Sequence, residues 1–274
     1  MRFEKIMLEG EDESVYLDAY IADPIRGFTR KAILVIPGGG YAELSSEREG
    51  EPIAHAFIPY GYNAFVLHYS VDGAHPFPSQ LIQVAKAIKH IKDNCDEYGI
   101  HADKVFVVGF SAGGHLAASA GILWNLPEIY GKVPMAYRYN RPTGIMLIYP
   151  VISAKHHIPS LKNLLCESEP TQEQLDSVSM ERYVNKDSAP AFIFHTTTDK
   201  VVSVRNSLSI AEAYTNAELT YELHIYPDAP HGIALANEIT ECGKPRWNNA
   251  AMAEWVRMAA FWADNISEEI KETL

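Results

Sequence analysis

The stretch Lys104–Ala120 reads KVFVVGFSAGGHLAASA. Val105–Val108 is a short apolar run of the kind a buried strand makes. Ala112–Ala120 is a run of small residues with helical propensity. Between them stands Gly109-Phe110-Ser111-Ala112-Gly113. Strand, G-x-S-x-G, helix is the context of a nucleophile elbow, in which the serine sits on a sharp strand-to-helix turn. Gly109 and Gly113 flank Ser111 because side chains there would collide with neighbouring backbone. The helix that follows aims its N-terminal N–H groups at the serine, a favourable place for developing negative charge. The competing reading of the same residues is a tight turn in which Ser111 only caps the helix.

Working outward, the pattern repeats on both sides. Lys31–Ile36 (KAILVI) is a fully apolar run that leads straight into Pro37-Gly38-Gly39-Gly40-Tyr41. Asn63–His68, Gly144–Tyr149, Ala191–His195 and Tyr221–Tyr226 read as further strands. Arg2–Leu8 and Val15–Ile21 alternate, with Glu11-Asp12-Glu13 between them suiting a hairpin-like turn. Helices are expected over Arg48–Pro59, from an N-cap at Ser79, over Val204–Asn216 and over Asn248–Asn265. The second of these carries Leu81, Val84, Ala85, Ile88 and Ile91 as an apolar stripe. Strands alternating with helices imply an α/β fold: a mostly parallel central sheet with helices on both faces and antiparallel strands at the N-terminus. The 274 residues suit a single domain over 1–274. Residues 151–190 are looser and more polar, an insertion or lid over the carboxyl ends of the strands.

Composition narrows the function. Hydrophobic residues make up 47% and charged residues 21%, an ordinary globular balance. The net charge is −12 with no basic block, which removes the electrostatic drive toward nucleic acid or an anionic membrane. The start, MRFEKIMLEGEDES, lacks the apolar core of a signal peptide. Cys95, Cys166 and Cys242 are scattered, as suits reduced thiols. A cytoplasmic protein is expected. A homodimer is compatible with these features, being the commonest assembly.

A serine hydroxyl needs a base within hydrogen-bond reach, and the base needs an acid to hold its tautomer. In an elbow enzyme these follow in the order Ser, Asp or Glu, His. His115 lies on the elbow helix, too close to return as the base. His195 and His224 fall inside strands, and His156-His157 in the polar segment. His231, in Pro227-Asp228-Ala229-Pro230-His231-Gly232 directly after the last strand, is in the right place. Asp199 follows the strand Ala191–His195 and is the expected acid, with Asp228 its chief rival. Asp187 precedes that strand and belongs to the wrong end of the sheet. Backbone N–H groups of Ala112, Gly39 and Gly40 are the expected donors to an oxyanion. Absence of GK[ST] and G-x-G-x-x-G argues against a phosphate loop. No HExxH or paired-cysteine motif is present, and no metal or other cofactor is expected.

With these residues in view, the chain resembles α/β-hydrolase-fold serine esterases. It is most similar to the small bacterial carbohydrate and acetylxylan esterase-like group, near the hormone-sensitive-lipase-like esterases. The resemblance rests on PGGGY (37–41), FPSQLIQVAKAIKHI (77–91), DKVFVVGFSAGGHLAAS (103–119), APAFIFHTTTDKVVSVRNS (189–207) and YPDAPHGI (226–233). It implies Ser111 as nucleophile, Asp199 as acid, His231 as base, and Gly39, Gly40 and Ala112 as oxyanion donors. Tyr41, Phe110, Tyr149 and Ile233 adjoin these motifs and are expected to line the substrate pocket. Two departures stand out: Pro37 replaces the His of the lipase-like His-Gly-Gly-Gly, and Tyr69-Ser70 replaces Tyr-Arg. The expected substrate is a small-molecule carboxylic ester, with acetylated sugars favoured. Amide cleavage, as in arylformamidase-like or oligopeptidase-like relatives, uses the same triad and stays open. So does a non-catalytic binding protein of this fold.

Overall fold

The apolar runs are strands because they are buried on both faces. Along Arg30–Ile36, Ala32, Leu34 and Ile36 join the core on one side of the sheet, Ile33 and Val35 the core on the other. The structure, a computed structural model, describes residues 1–71 and 73–273, with side chains through Ile266. Asp72 and Leu274 lie outside the described residues.

The strands are β1 (Arg2–Met7), β2 (Tyr16–Ile21), β3 (Arg30–Ile36), β4 (Tyr62–His68), β5 (Ile100–Phe110), β6 (Gly144–Ile148), β7 (Ala191–Thr196) and β8 (Tyr221–Tyr226). Among the described residues they form one sheet in the order β1-β2-β4-β3-β5-β6-β7-β8. β1 and β2 pair antiparallel, as do β2 and β4; every other pair is parallel. Parallel strands need crossover helices, which cover both faces. On one face lie α3 (Ser79–Asp93), α4 (Ala112–Ile122), α5 (Pro159–Leu165), α6 (Gln172–Ser177) and α7 (Arg205–Asn216). On the other lie α2 (Glu51–Phe57), behind the one-turn α1 (Ser46–Glu49), and α8 (Trp255–Thr273).

Four elements differ from the sequence expectation. The helix expected over Asn248–Asn265 is a one-turn helix at Ala250–Ala253 followed, after Glu254, by α8 from Trp255. The helix expected over Arg48–Pro59 is two helices broken at Gly50, because Pro52 in the first turn of α2 has no N–H to give the preceding turn. Ser79 is the first helical residue of α3 rather than its N-cap, which is Pro78. The expected stripe on α3 is nevertheless buried throughout. β5 begins five residues before Val105. The polar His101-Ala102-Asp103-Lys104 hides this part from a hydrophobicity pattern, and the register against β3 shifts there.

Segment 151–190 is fastened to the body of the molecule. Leu161, Leu164, Leu175, Val178 and Met180 are buried in the same core as α3 and α4. Ile152 and Ser153 N–H both donate to Asn206 Oδ1 at 2.9 and 3.0 Å. Among the described residues, no helix is long and apolar enough to cross a membrane.

Candidate active site

Four loops meet at the carboxyl ends of β3, β5, β7 and β8. At the end of β5 the chain turns into α4 through Ser111, whose φ of 53° and ψ of −115° are an uncommon conformation for a side chain-bearing residue. The turn is tight enough to require its glycines. A Cβ on Gly109 would lie 2.1 Å from the Gly113 carbonyl oxygen, and one on Gly113 would lie 2.2 Å from that of Ile36. Ser111 occupies the N-cap position of α4, yet its hydroxyl makes no capping bond. It points instead at His231, with Oγ 2.8 Å from Nε2.

The other ring nitrogen of His231, Nδ1, is 2.6 Å from Asp199 Oδ2. Since Nδ1–H donates to the carboxylate, Nε2 is free to accept the serine proton. Asp199 Oδ1 accepts from Val201 and Val202 N–H, each at 2.9 Å. Burial by itself pushes this carboxyl's pKa up. Hydrogen bonds from His195, His231 and Val202 N–H, with the charge of His231, more than reverse that and hold it well below the usual range. His195 Nε2–H is directed at the Val202 carbonyl (2.9 Å) and lies 3.4 Å from Asp199 Oδ2; its Nδ1 accepts from the Ser207 hydroxyl at 2.7 Å. The rival Asp228 is exposed and bonded to Thr198 Oγ1 and Arg246, away from His231.

The histidine loop is held from β7 by three consecutive threonines. Thr196 and Thr197 hydroxyls donate to the carbonyls of Ala229 and Pro227 at 2.8 and 2.6 Å, and Thr198 donates to Asp228. On the far side, Arg48 donates to the carbonyls of Gly232 and Thr240. The glycine loop after β3 is equally constrained. Gly39 and Gly40 have φ of 124° and 67°, values that favour glycine. Tyr69 Oη–H donates to the Pro37 carbonyl at 2.8 Å, and Asn163 from segment 151–190 donates to that of Gly40 at 2.8 Å. Gly38 N–H is taken by Glu49. Among the described residues, none accepts a hydrogen bond from the N–H of Gly39, Gly40 or Ala112.

The four residues expected to line the pocket are all buried. Phe110 and Ile233 sit in the core with Trp255. Tyr41 bonds His115 Nδ1 at 2.9 Å, and His115 Nε2 in turn reaches the Val178 carbonyl at 2.8 Å. Tyr149 lies edge-on to the His231 ring, with centroids 5.0 Å apart, and bonds Glu49. His157, unassigned by the sequence, is half-buried between the Val201 carbonyl and Ser160 Oγ; burial lowers its pKa. Glu49 and Arg48 also escaped sequence reasoning. In Ser-Glu-Arg-Glu-Gly-Glu-Pro nothing separates one buried acid from its exposed neighbours. Among the described residues, no group of three or more His, Cys, Asp or Glu is placed to hold a metal ion.

An elbow serine, a histidine after the last strand and an aspartate after the one before, on a sheet of this order, define the α/β-hydrolase class. The BD-FAE family matches residues 17–214, and the dienelactone hydrolase family matches residues 177–265. The chain belongs to the BD-FAE family. It is 36% identical over 219 residues to endo-1,4-beta-xylanase B of Butyrivibrio fibrisolvens, covering 76% of this chain and 33% of that protein. Two solved structures align over nearly all of both chains. One is MGS-M1, an α/β-hydrolase enzyme from a Medee basin deep-sea metagenome, at 32% identity and a TM-score of 0.79, covering 97% of this chain and 98% of that one. The other is an acetyl ester-xyloside bifunctional hydrolase from Caldicellulosiruptor lactoaceticus, at 30% identity and 0.81, covering 97% of each. The chain spans between 33% and 59% of the length of the first curated relatives it matches.

Proposed function

We propose that this protein hydrolyses small carboxylic esters, acetyl esters of sugars foremost, through an acyl-enzyme on Ser111. The observation that carries the reading is the unbroken relay Ser111–His231–Asp199, at 2.8 and 2.6 Å, beside N–H groups of Gly39, Gly40 and Ala112 that no group among the described residues uses. Ser111 Oγ attacks the ester carbonyl while His231 Nε2 takes its proton. Asp199 keeps Nδ1 protonated and stabilises the imidazolium. The oxyanion then sits among the three N–H groups, whose fixed orientation is worth most when water is excluded. His231 returns the proton to the leaving alcohol, then activates the water that releases the acid. The sequence of steps uses no cofactor.

The choice of a sugar ester over another ester draws on two features. A relative of nearly full overlap is named an acetyl ester-xyloside hydrolase. The rim of the glycine loop is also polar: Ser160 Oγ lies 3.7 Å from where a Cβ on Gly40 would be, and His157 bonds that hydroxyl at 2.8 Å. Polar groups of this kind suit a hydroxylated alcohol better than a fatty one. Acetate release from acetylated xylo-oligosaccharides tests the reading, with an N-formyl aryl amide as competitor. The expected result is a kcat/KM at least tenfold higher on the acetylated sugar. Faster turnover of the amide would overturn it.

A further inference from the structure

Glu49 is a carboxylic acid buried beneath the reaction centre, only 3% exposed, and the triad does not use it. Its Oε2 accepts the Gly38 N–H at 2.8 Å, and its Oε1 accepts the Tyr149 hydroxyl at 2.9 Å. A Cβ on Gly38 would lie 2.7 Å from Oε2 and 3.1 Å from Ser111 Cβ, so Gly38 is closely flanked by both the carboxylate and the nucleophile. Tyr149 in turn accepts the Ala234 N–H at 2.9 Å, three residues beyond His231, and its ring meets the imidazole edge-on. Arg48, the preceding residue on the same turn, reaches the other side of that loop. Its guanidinium donates to the carbonyl of Gly232, immediately after His231, and to that of Thr240, and it lies 3.8 Å from the centroid of Trp247.

We propose that Arg48 and Glu49 are positioning residues that lock the glycine loop and the histidine loop into one frame. Glu49 fixes the glycine loop through Gly38 and, through Tyr149, the chain after His231; Arg48 fixes the same chain through Gly232. The break between α1 and α2 at Gly50 presents both side chains inward from a single turn. The alignment that matters is between donors on Gly39 and Gly40 and the base on His231, since both act on one tetrahedral centre. A buried carboxylate that accepts two hydrogen bonds from the described residues is costly to keep unless it performs such a task. Burial raises the carboxyl's pKa, opposed by Gly38, Tyr149, His231 and Arg48, as fits a group surrounded by the machinery.

The inference rests on the serine-hydrolase reading above, and its test is independent of the substrate. The rate at which a fluorophosphonate labels Ser111, read by intact mass, measures nucleophile and oxyanion donors together, for an esterase or an amidase alike. Glu49→Ala should slow labelling about 100-fold, and lower kcat on p-nitrophenyl acetate by a similar factor with KM within threefold. Glu49→Gln, which still accepts from Gly38, should lose about tenfold, and so should Arg48→Lys. The exposed Glu47→Gln should match wild type. Thermal melting of each variant separates misalignment from unfolding; if Glu49→Ala does not fold, the Gln and Lys variants carry the test. Labelling within threefold of wild type in folded Glu49→Gln and Arg48→Lys would overturn the inference, as would a loss confined to KM. Wild-type labelling without ester turnover would sink the ester reading alone, whereas an unlabelled wild type would sink both.

Discussion

At the scale of single residues, everything turns on which acid holds the histidine. Asp199 is bonded through both oxygens, to two backbone N–H groups on one and to His231 on the other, so it can neither rotate away nor readily gain a proton. Asp199→Asn keeps the shape but presents an amide N–H to Nδ1, favouring the wrong tautomer. It should lower kcat by about three to four orders of magnitude. Asp228→Asn, on an exposed side chain, should stay within threefold; equal losses in steady-state assays would contradict the assignment. The grouping of Ser111, Asp199 and His231 was legible because each follows a strand of the parallel sheet, in the order an elbow enzyme uses. Asp228 was the rival because it lies three residues from His231, and Asp199 was favoured over it only because it follows the strand before the last. Glu49 and the threonines at 196–198 were not legible, because burial of a charge and the aim of a hydroxyl depend on loops packed from four distant strands.

At the scale of elements, the elbow is the most constrained part of the fold. Phe110 and Ala112 tolerate ordinary side chains, but Gly113 faces the Ile36 and Pro37 carbonyls at 2.2 and 2.4 Å from any added Cβ. Gly113→Ala must push β3 and its glycine loop away from α4. Urea denaturation should register a loss of about 3 kcal/mol, with kcat reduced because the donors on that loop move. A variant as stable and active as wild type would contradict the packing. The strands read well from sequence because parallel strands buried on both faces are continuous apolar runs. The break at Gly50 and the early start of β5 did not, since one depends on a proline overruling a helical pattern and the other on a polar run held by its neighbours. The anchoring of segment 151–190 was equally hidden, as Leu161, Leu164, Leu175, Val178 and Met180 follow no single periodicity across their short helices.

At the scale of the whole molecule, the same buried groups tie stability to pH. His115 is fully buried, and burial chiefly lowers its pKa, to about 4. An unfolded histidine takes up its proton near pH 6.5, whereas the folded one resists until about 4. The unfolded state therefore binds more protons in that window, and stability falls as pH falls, by at most about 1.4 kcal/mol per unit. Asp199 acts with the same sign lower down: its depressed pKa stabilises the fold above the ordinary carboxylate range, and that stabilisation is lost on further acidification. Urea titrations between pH 7 and 4 should show a steep decline for wild type. His115→Gln should be less stable at pH 7, through lost bonds to Tyr41 and Val178, but decline more gently. Parallel curves would remove His115 as the cause.

Ester hydrolysis through an acyl group on Ser111 is tested most directly by turnover of p-nitrophenyl acetate, butyrate and octanoate by wild type and Ser111→Ala. Wild type should cleave the acetate fastest, with kcat/KM falling steeply as the acyl chain lengthens. Ser111→Ala should lose at least about four orders of magnitude in kcat while folding normally. Turnover that survives in Ser111→Ala, or a wild type inert toward all three esters, would contradict the claim.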